Sequence, residues 1–318
     1  KILIAGLVII TSLEAAYGIL NLLSGNERLL FYRRWAYHDS ATGTLVNKNH
    51  FAYLMELGLP LSVAVVTWFA IVRRDHSPHI PAETGALKML VGSLVVLAGL
   101  GLVFSRSRMG IVSLVLAAAA VSATSAALRP DHGRRGGAKA GIWLLALVIV
   151  GYATAIGLDP VLERFFHIEQ DLEDGRFPIW QTALAMFYDR PLLGHGWGTF
   201  EALAPSYRPV PTGMFYSHAH NEYLEVAAEA GAVGLGIVLW LIFLFGRRLA
   251  RTLARPLTSL QRTTVVALGV AVTSILLHSL ADFGLRIPGV ALAFVYVVAL
   301  FTRVTEDPSL VDGREAVL

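Results

Sequence analysis

The sequence predicts an all-α polytopic membrane protein, and three observations carry that prediction. Of 318 residues, 55% are hydrophobic and only 15% charged, with a mean hydropathy of +0.60; soluble domains carry about 25% charged residues. Apolar stretches of roughly 20 residues, the length that crosses the hydrocarbon core, recur along the chain. Between them, arginines and lysines gather in loops, as cytoplasmic loops of membrane proteins do. The net charge of +3 and pI of about 9.2 are therefore read as loop charge. No basic tract with interleaved aromatics is present, so nucleic acid is not an expected partner; membrane lipids are. The absence of cysteine excludes disulfides, thiol catalysis and cysteine metal sites.

About eight spans are predicted by length and hydropathy. They lie near 2–23, 50–72, 87–104, 109–128, 140–158, 230–246, 263–281 and 287–302. The first is too long, and too poor in a cleavage signal, for a signal peptide. The fourth is rich in alanine, which suits close helix packing. Arg73, Arg74 and Lys88, then Arg129, Arg134, Arg135 and Lys139, then Arg247, Arg248, Arg251, Arg255 and Arg262 fall on one side of such a bundle. The positive-inside rule makes that side cytoplasmic, with both termini. Arg28, Arg33, Arg34 and Lys48 fall on the opposite side, where they need a separate reason. The predicted organisation is spans one to five over 1–158 with short loops, a non-cytoplasmic loop over 159–229 carrying the chemistry, spans six to eight over 230–302, and a cytoplasmic tail over 303–318. The loop of about 70 residues exceeds any ordinary connection. Within it, Arg176–Arg190 reads as a helix with Ile179, Ala183, Met186 and Phe187 on one face. Pro191 ends it, the glycines of Gly194-His195-Gly196-Trp197-Gly198 form a tight turn, and a further helix opens near Asn221.

Several polar residues have energetic reasons to be noticed. Ser105-Arg106-Ser107-Arg108 forms a whole turn between two apolar helices. Arginine there either snorkels to headgroups or holds phosphate oxygens in a bidentate fork. Arg176 heads the loop helix that contains Trp180; it either pairs with Asp171, Glu173 or Asp174 or is a second phosphate ligand. In Ser217-His218-Ala219-His220-Asn221-Glu222-Tyr223-Leu224, Asn221 is a helix N-cap candidate. The positive end of the helix dipole favours a neutral imidazole, the form a general base requires. A metal site using Glu222 or Glu225 is the lower-ranked rival. His278 and Asp282, at i and i+4, are expected to share one helix face. Glu14 and Glu56 fall inside predicted spans, where a carboxylate is costly.

Taken in order, Gly43-Thr44-Leu45-Val46-Asn47-Lys48-Asn49-His50-Phe51, Ser107-Arg108-Met109-Gly110, Gly175-Arg176 through Trp180 to Pro191-Leu192-Leu193-Gly194-His195-Gly196, and His218-Ala219-His220-Asn221-Glu222-Tyr223-Leu224 resemble the O-antigen ligase and O-antigen polymerase superfamily of bacterial membrane glycosyltransferases. The resemblance covers roughly residues 40–285. It implies a multi-pass protein of the bacterial inner membrane with its active site facing the periplasm. The donor it implies is a glycan on undecaprenyl pyrophosphate; a ligase would move that glycan to lipid A–core. It also implies that Arg108 and Arg176 bind the pyrophosphate and that His220 or His218 activates the acceptor. The family has more membrane helices than this chain shows, which would place the others before Lys1.

The chemistry is consistent with that resemblance. Pyrophosphate is a good leaving group that needs charge neutralisation rather than a general acid. A sugar hydroxyl is a poor nucleophile and gains typically 10²–10⁴-fold from a base. No catalytic carboxylate pair of the glycosidase kind stands out, so the expected reaction is a single inverting displacement without metal or other cofactor. Arg106 stays beside Arg108 as a clamp candidate, Asn221, Trp180, His278 and Asp282 are supporting residues, and His220 is favoured over His218. The alternatives are a polymerase of the same superfamily and a lipid or solute transporter; the latter usually shows repeated halves and midplane charges, neither evident here.

Overall fold

The structure is a computed structural model and describes residues 2–76, 83–129, 176–207 and 216–312. The predicted span near 140–158 lies outside the described residues. Among those described, six helices are long and apolar enough to cross a membrane: Leu3–Leu23, Lys48–Phe69, Arg108–Ala127, Glu222–Leu253, Ser259–His278 and Pro288–Glu306. Each coincides with a predicted span. The predicted span near 87–104 falls within a 22-residue helix, Glu83–Phe104. The protein is thus an all-α polytopic membrane protein, with a two-stranded ribbon of two residues per strand as its only sheet among the described residues.

The chain divides into two compact units. The first comprises Lys1–Trp143, Arg248–His278 and Ile287–Leu318. Its helices are α1 (Ile2–Leu23), α2 (Lys48–His76), α3 (Glu83–Phe104), α4 (Arg108–Ala127), α8 (Ser259–His278) and α9 (Pro288–Glu306). Helix α8 packs on α2 and α4, α3 packs on α1 and α2, and α9 packs on α8. Small residues permit this closeness: a Cβ at Gly110 would meet the Ala52 side chain at 2.8 Å and Glu56 at 3.2 Å, so α4 lies directly against α2. Leu3, Ile9, Ile10, Leu13 and Leu20 of α1 and Leu292 and Val295 of α9 are exposed. Each would forgo about 1.5–3 kcal/mol in water, and a lipid surround removes that penalty.

Polar groups in this unit are locally satisfied. Glu14 accepts from the Thr44 N–H and hydroxyl, both at 2.7 Å, tying α1 to the 24–47 segment. Arg34 is buried and donates to the Ser40 and His38 carbonyls. Arg33 pairs with Glu27 at 3.0 Å, and Lys48 lies over the Tyr37 ring. These contacts give Arg33, Arg34 and Lys48, three of the basic residues that resisted the positive-inside pattern, a local role. Arginines of the 247–262 region cap helix ends instead. Arg255 donates to the Thr305 carbonyl at 3.2 Å and Arg262 to the Ser125 carbonyl at 3.3 Å, meeting acceptors that a last helical turn leaves open.

The second unit comprises Leu144–Arg247 and Ser279–Arg286. Helix α5 (Phe177–Asp189) begins with proline in its first turn, a position that needs no N–H donor. It buries Ile179, Thr182, Ala183 and Met186 against Phe200, Ala204, Ala219 and Ala228. Thr182 is fully buried where Phe187, expected on that face, is only half-buried. Phe200–Leu203 forms a short helix, α6. Helix α7 (Glu222–Leu253) starts about eight residues before the predicted span and breaks at Gly231, which has φ +64°.

The preceding turn repairs that break. The N–H groups of His195 and Gly196 donate to the carbonyls of Ala228 and Glu229, at 3.2 and 2.8 Å. Those of Ala232 and Val233 donate to the carbonyls of Pro191 and Leu192, at 2.7 and 3.2 Å. The backbone groups freed on both sides of the break therefore find partners in the 191–196 turn. Glycine is required at both contact points. Gly194 has φ +67°, and a Cβ there would collide with the Glu229 carbonyl carbon; a Cβ on Gly231 would collide with the Leu192 carbonyl. Beyond the break, Val233, Ile237, Leu239, Trp240, Leu241 and Phe243 are exposed along an apolar helix, a lipid-facing surface.

Candidate active site

The first turn of α7 builds the site. The Asn221 carboxamide oxygen accepts from the Tyr223 and Leu224 N–H groups at 3.0 and 3.1 Å, the N-cap expected from sequence. This cap stops the helix and leaves Ser217–His220 as a loop across its N-terminus. From there Glu222, Glu225 and Glu229 follow at i, i+3 and i+7, on one face of the helix.

Both motif histidines are paired with buried carboxylates. His218 donates through Nδ1 to Glu225 Oε1 at 2.8 Å, and Glu225 Oε2 accepts from the Ala219 N–H at 2.7 Å. His220 donates through Nδ1 to Asp282 Oδ1 at 3.3 Å, and the same oxygen accepts from the Phe283 N–H at 2.9 Å. Glu225 and Asp282 side chains are 0% exposed, whereas the imidazoles are 27% and 32% exposed. A carboxylate can only accept, so Nδ1 carries the hydrogen in each ring. In the neutral form the basic lone pair is then on Nε2. Phe283 separates the rings, stacked on His218 at 4.2 Å and edge-on to His220 at 4.8 Å. His220 has φ +49°, a conformation costing a side chain roughly 1–2 kcal/mol and of a kind concentrated at functional sites.

Arg286 is a residue that the sequence reading did not single out. It reaches Glu229 at 2.7 Å and Glu225 at 3.3 Å through Nη1, and Glu222 at 3.3 Å through Nε. Its guanidinium lies over the Trp197 ring at 4.7 Å. Burial alone would lower its pKa, but Glu225, Glu229 and Glu222 outweigh that and raise it, so it stays cationic. Glu229 also accepts from the Phe200 N–H at 3.0 Å, and Glu222 from the Leu285 N–H at 2.8 Å. Both glutamates weighed as metal ligands thus turn to Arg286.

His278 and Asp282 do not pair as their spacing suggested. Helix α8 ends at His278, so the i, i+4 geometry never forms, and Asp282 turns to His220. In the first unit, buried His278 and Glu56 share a hydrogen bond between Nδ1 and Oε1 at 2.5 Å, and Ser113 donates to the other Glu56 oxygen at 2.8 Å. Tyr53 stacks on His278 at 4.1 Å. His195 is structural: its Nε2 donates to the Met186 carbonyl at 2.9 Å, at the end of α5.

The arginine candidates divide between the units. Arg106 and Arg108 belong to the first, and Arg176 to the second with the histidines. Arg106 has φ +52° and forms an ion pair with Asp39 at 2.8 Å. Partial burial would raise the pKa of Asp39, but the Ser40 hydroxyl, Arg106 and Lys48 together lower it. Arg108 opens α4 behind the N-cap Ser107, whose hydroxyl accepts from the Gly110 N–H at 3.2 Å. Arg176 stands at the N-terminal end of α5, while Asp171, Glu173 and Asp174 lie outside the described residues. Trp180 is in α5, its Nε1 buried without a hydrogen-bond partner among the described residues.

Fold and site together define a multi-pass membrane protein with a constructed histidine–carboxylate centre next to a helix N-terminus. The family model for O-antigen ligase matches residues 93–241, so over those residues the chain is similar to that family. That similarity supports a membrane glycosyltransferase of the O-antigen ligase and polymerase type. No significant match was found among curated proteins.

Proposed function

We propose that the protein transfers a glycan from undecaprenyl pyrophosphate to a sugar hydroxyl on the periplasmic side of the bacterial inner membrane, with lipid A–core the favoured acceptor. The observation that carries this reading is the pair of histidine–carboxylate dyads, each with a buried acid holding Nδ1 and a half-exposed ring leaving Nε2 as the basic atom. The acceptor oxygen attacks the anomeric carbon as its proton passes to Nε2. The bond from that carbon to the pyrophosphate oxygen breaks, and the lipid pyrophosphate leaves with inversion. Arg176 is assigned to the leaving pyrophosphate, whose developing charge a guanidinium fork suits. Arg108 remains a phosphate-binding candidate on the strength of its motif alone, and Arg106, committed to Asp39, ranks below it.

Sequence favoured His220 as the base; the contact geometry favours His218. Its dyad is shorter by half an ångström (2.8 against 3.3 Å), and both Glu225 oxygens are fixed by N–H donors. Initial transfer rates of His218→Ala and His220→Ala in purified, folded protein test the assignment. The base variant should fall on the order of 10²–10⁴-fold, and His218→Ala the further of the two. Equal, undiminished rates in both variants would remove the histidines from the chemistry.

A polymerase that extends the lipid-linked glycan uses the same chemistry on a different acceptor. Product analysis with and without lipid A–core separates the two.

A further inference from the structure

We propose that Arg286 is the positioning residue of the site: it holds Glu225 as an oriented carboxylate so that His218 presents Nε2 to the acceptor. This rests on the reading of His218 as the base. The loop 279–286, the first turn of α7, the 195–200 turn and the histidine loop meet through this one side chain. Arg286 contacts Glu222, Glu225 and Glu229, and those three accept in turn from Leu285, Ala219 and Phe200 N–H groups. Trp197 lies across the guanidinium face, between glycines with φ +111° and +78°, and fixes its plane.

Charge makes the arrangement necessary. Three buried carboxylates on one helix face cannot all stay ionised without a cation among them. Their charged and titratable neighbours in this cluster are Arg286, His218 and, beside Glu222, Tyr223. Without Arg286, a proton settling on Glu225 would turn that acid into a donor toward His218 Nδ1. The ring would then carry its hydrogen on Nε2, and the base would be lost. Arg286 Nη2 is buried with no hydrogen-bond partner among the described residues, so the guanidinium is held by its other two nitrogens. Lysine cannot reproduce that two-nitrogen fork.

The experiment is steady-state kinetics of the purified protein in detergent, with undecaprenyl-pyrophosphate glycan as donor and lipid A–core as acceptor, for Arg286→Gln, Glu225→Gln and their combination. Arg286→Gln should lower kcat on the order of 10- to 100-fold, the range lost when the partner orienting a functional side chain is removed, with KM for the donor unchanged. The double variant should be no slower than Glu225→Gln alone, since the arginine acts through that acid. Arg286→Lys, which keeps the charge without the fork, should recover part of kcat; it carries the test if the glutamine variant does not purify as a folded protein. Wild-type kcat in Arg286→Gln overturns the proposal. So does a raised donor KM at unchanged kcat, which would make Arg286 a substrate ligand, or multiplicative losses in the double variant. His218→Ala run in parallel separates the two claims: a wild-type rate there removes the base itself, whatever Arg286 does.

Discussion

At the scale of single residues, the buried acids decide what the histidines can do. Glu225 and Asp282 are both fully buried, and each gives its histidine one hydrogen-bonded nitrogen and leaves the other basic. Glu225→Gln and Asp282→Asn keep the shape of each side chain while changing a pure acceptor into a group that can also donate. Transfer rates should fall in both, with the larger loss, on the order of 10²-fold or more, in Glu225→Gln; unchanged donor binding would show that the loss lies in the chemistry. The histidine motif and its N-cap were legible in the sequence because both are local: the cap needs only Asn221 and the next three residues. The partners were not legible. Asp282 and His278 stand at helical spacing, but the helix ends at His278, so one turns to His220 and the other to Glu56. The three glutamates at i, i+3 and i+7 were a visible signal on an otherwise apolar helix, and they imply a cation; which cation depends on a contact some 60 residues away in sequence.

At the scale of elements, the break in α7 and the 191–196 turn are one device. The turn carries both glycines and backbone donors to the break, and the two halves of α7 exchange hydrogen bonds with it rather than with each other. Gly231→Ala and Gly194→Ala should each destabilise the protein by more than about 1–2 kcal/mol, because a positive φ and a backbone collision are imposed together. Thermal unfolding in detergent would register this as a lowered midpoint, and a midpoint equal to wild type would remove the stitched turn from the account. The tight glycine turn could be read directly from sequence. The break could not, since Ala228 to Val233 reads as continuous helix and the acceptors that make a break affordable come from a different segment. Hydropathy located the span but missed that the helix starts at Glu222, because its first turn is stabilised by a cap and ion pairs rather than by lipid.

At the scale of the whole molecule, the helices place their most costly groups in pairs. Glu56 and His278, from α2 and α8, meet inside the first unit with Ser113 of α4. Glu56→Ala, which strands His278 in an apolar interior, should cost about 3–5 kcal/mol. The double variant Glu56→Leu with His278→Leu should be far closer to wild type, since no charged group or ring nitrogen is then stranded and the Ser113 hydroxyl keeps its bond to the Met109 carbonyl at 2.6 Å. Unfolding midpoints of the two variants in one detergent compare them directly; equal losses would mean that the pair matters by shape alone. The fold class was fully legible because lipid solvation acts on composition and length, which a sequence states outright. The grouping into units was not, because it depends on which small residues meet across helices, as Gly110 meets Ala52 and Glu56.

Glycosyl transfer from a lipid pyrophosphate is the central step, and one measurement reaches it most directly. Purified protein is incubated with undecaprenyl-pyrophosphate glycan, with and without lipid A–core, and the products are resolved by mass. The expected result is glycan covalently attached to lipid A–core, release of undecaprenyl pyrophosphate in equal amount, and loss of both in His218→Ala. Folded wild-type protein that yields neither attached glycan nor released lipid pyrophosphate would contradict it.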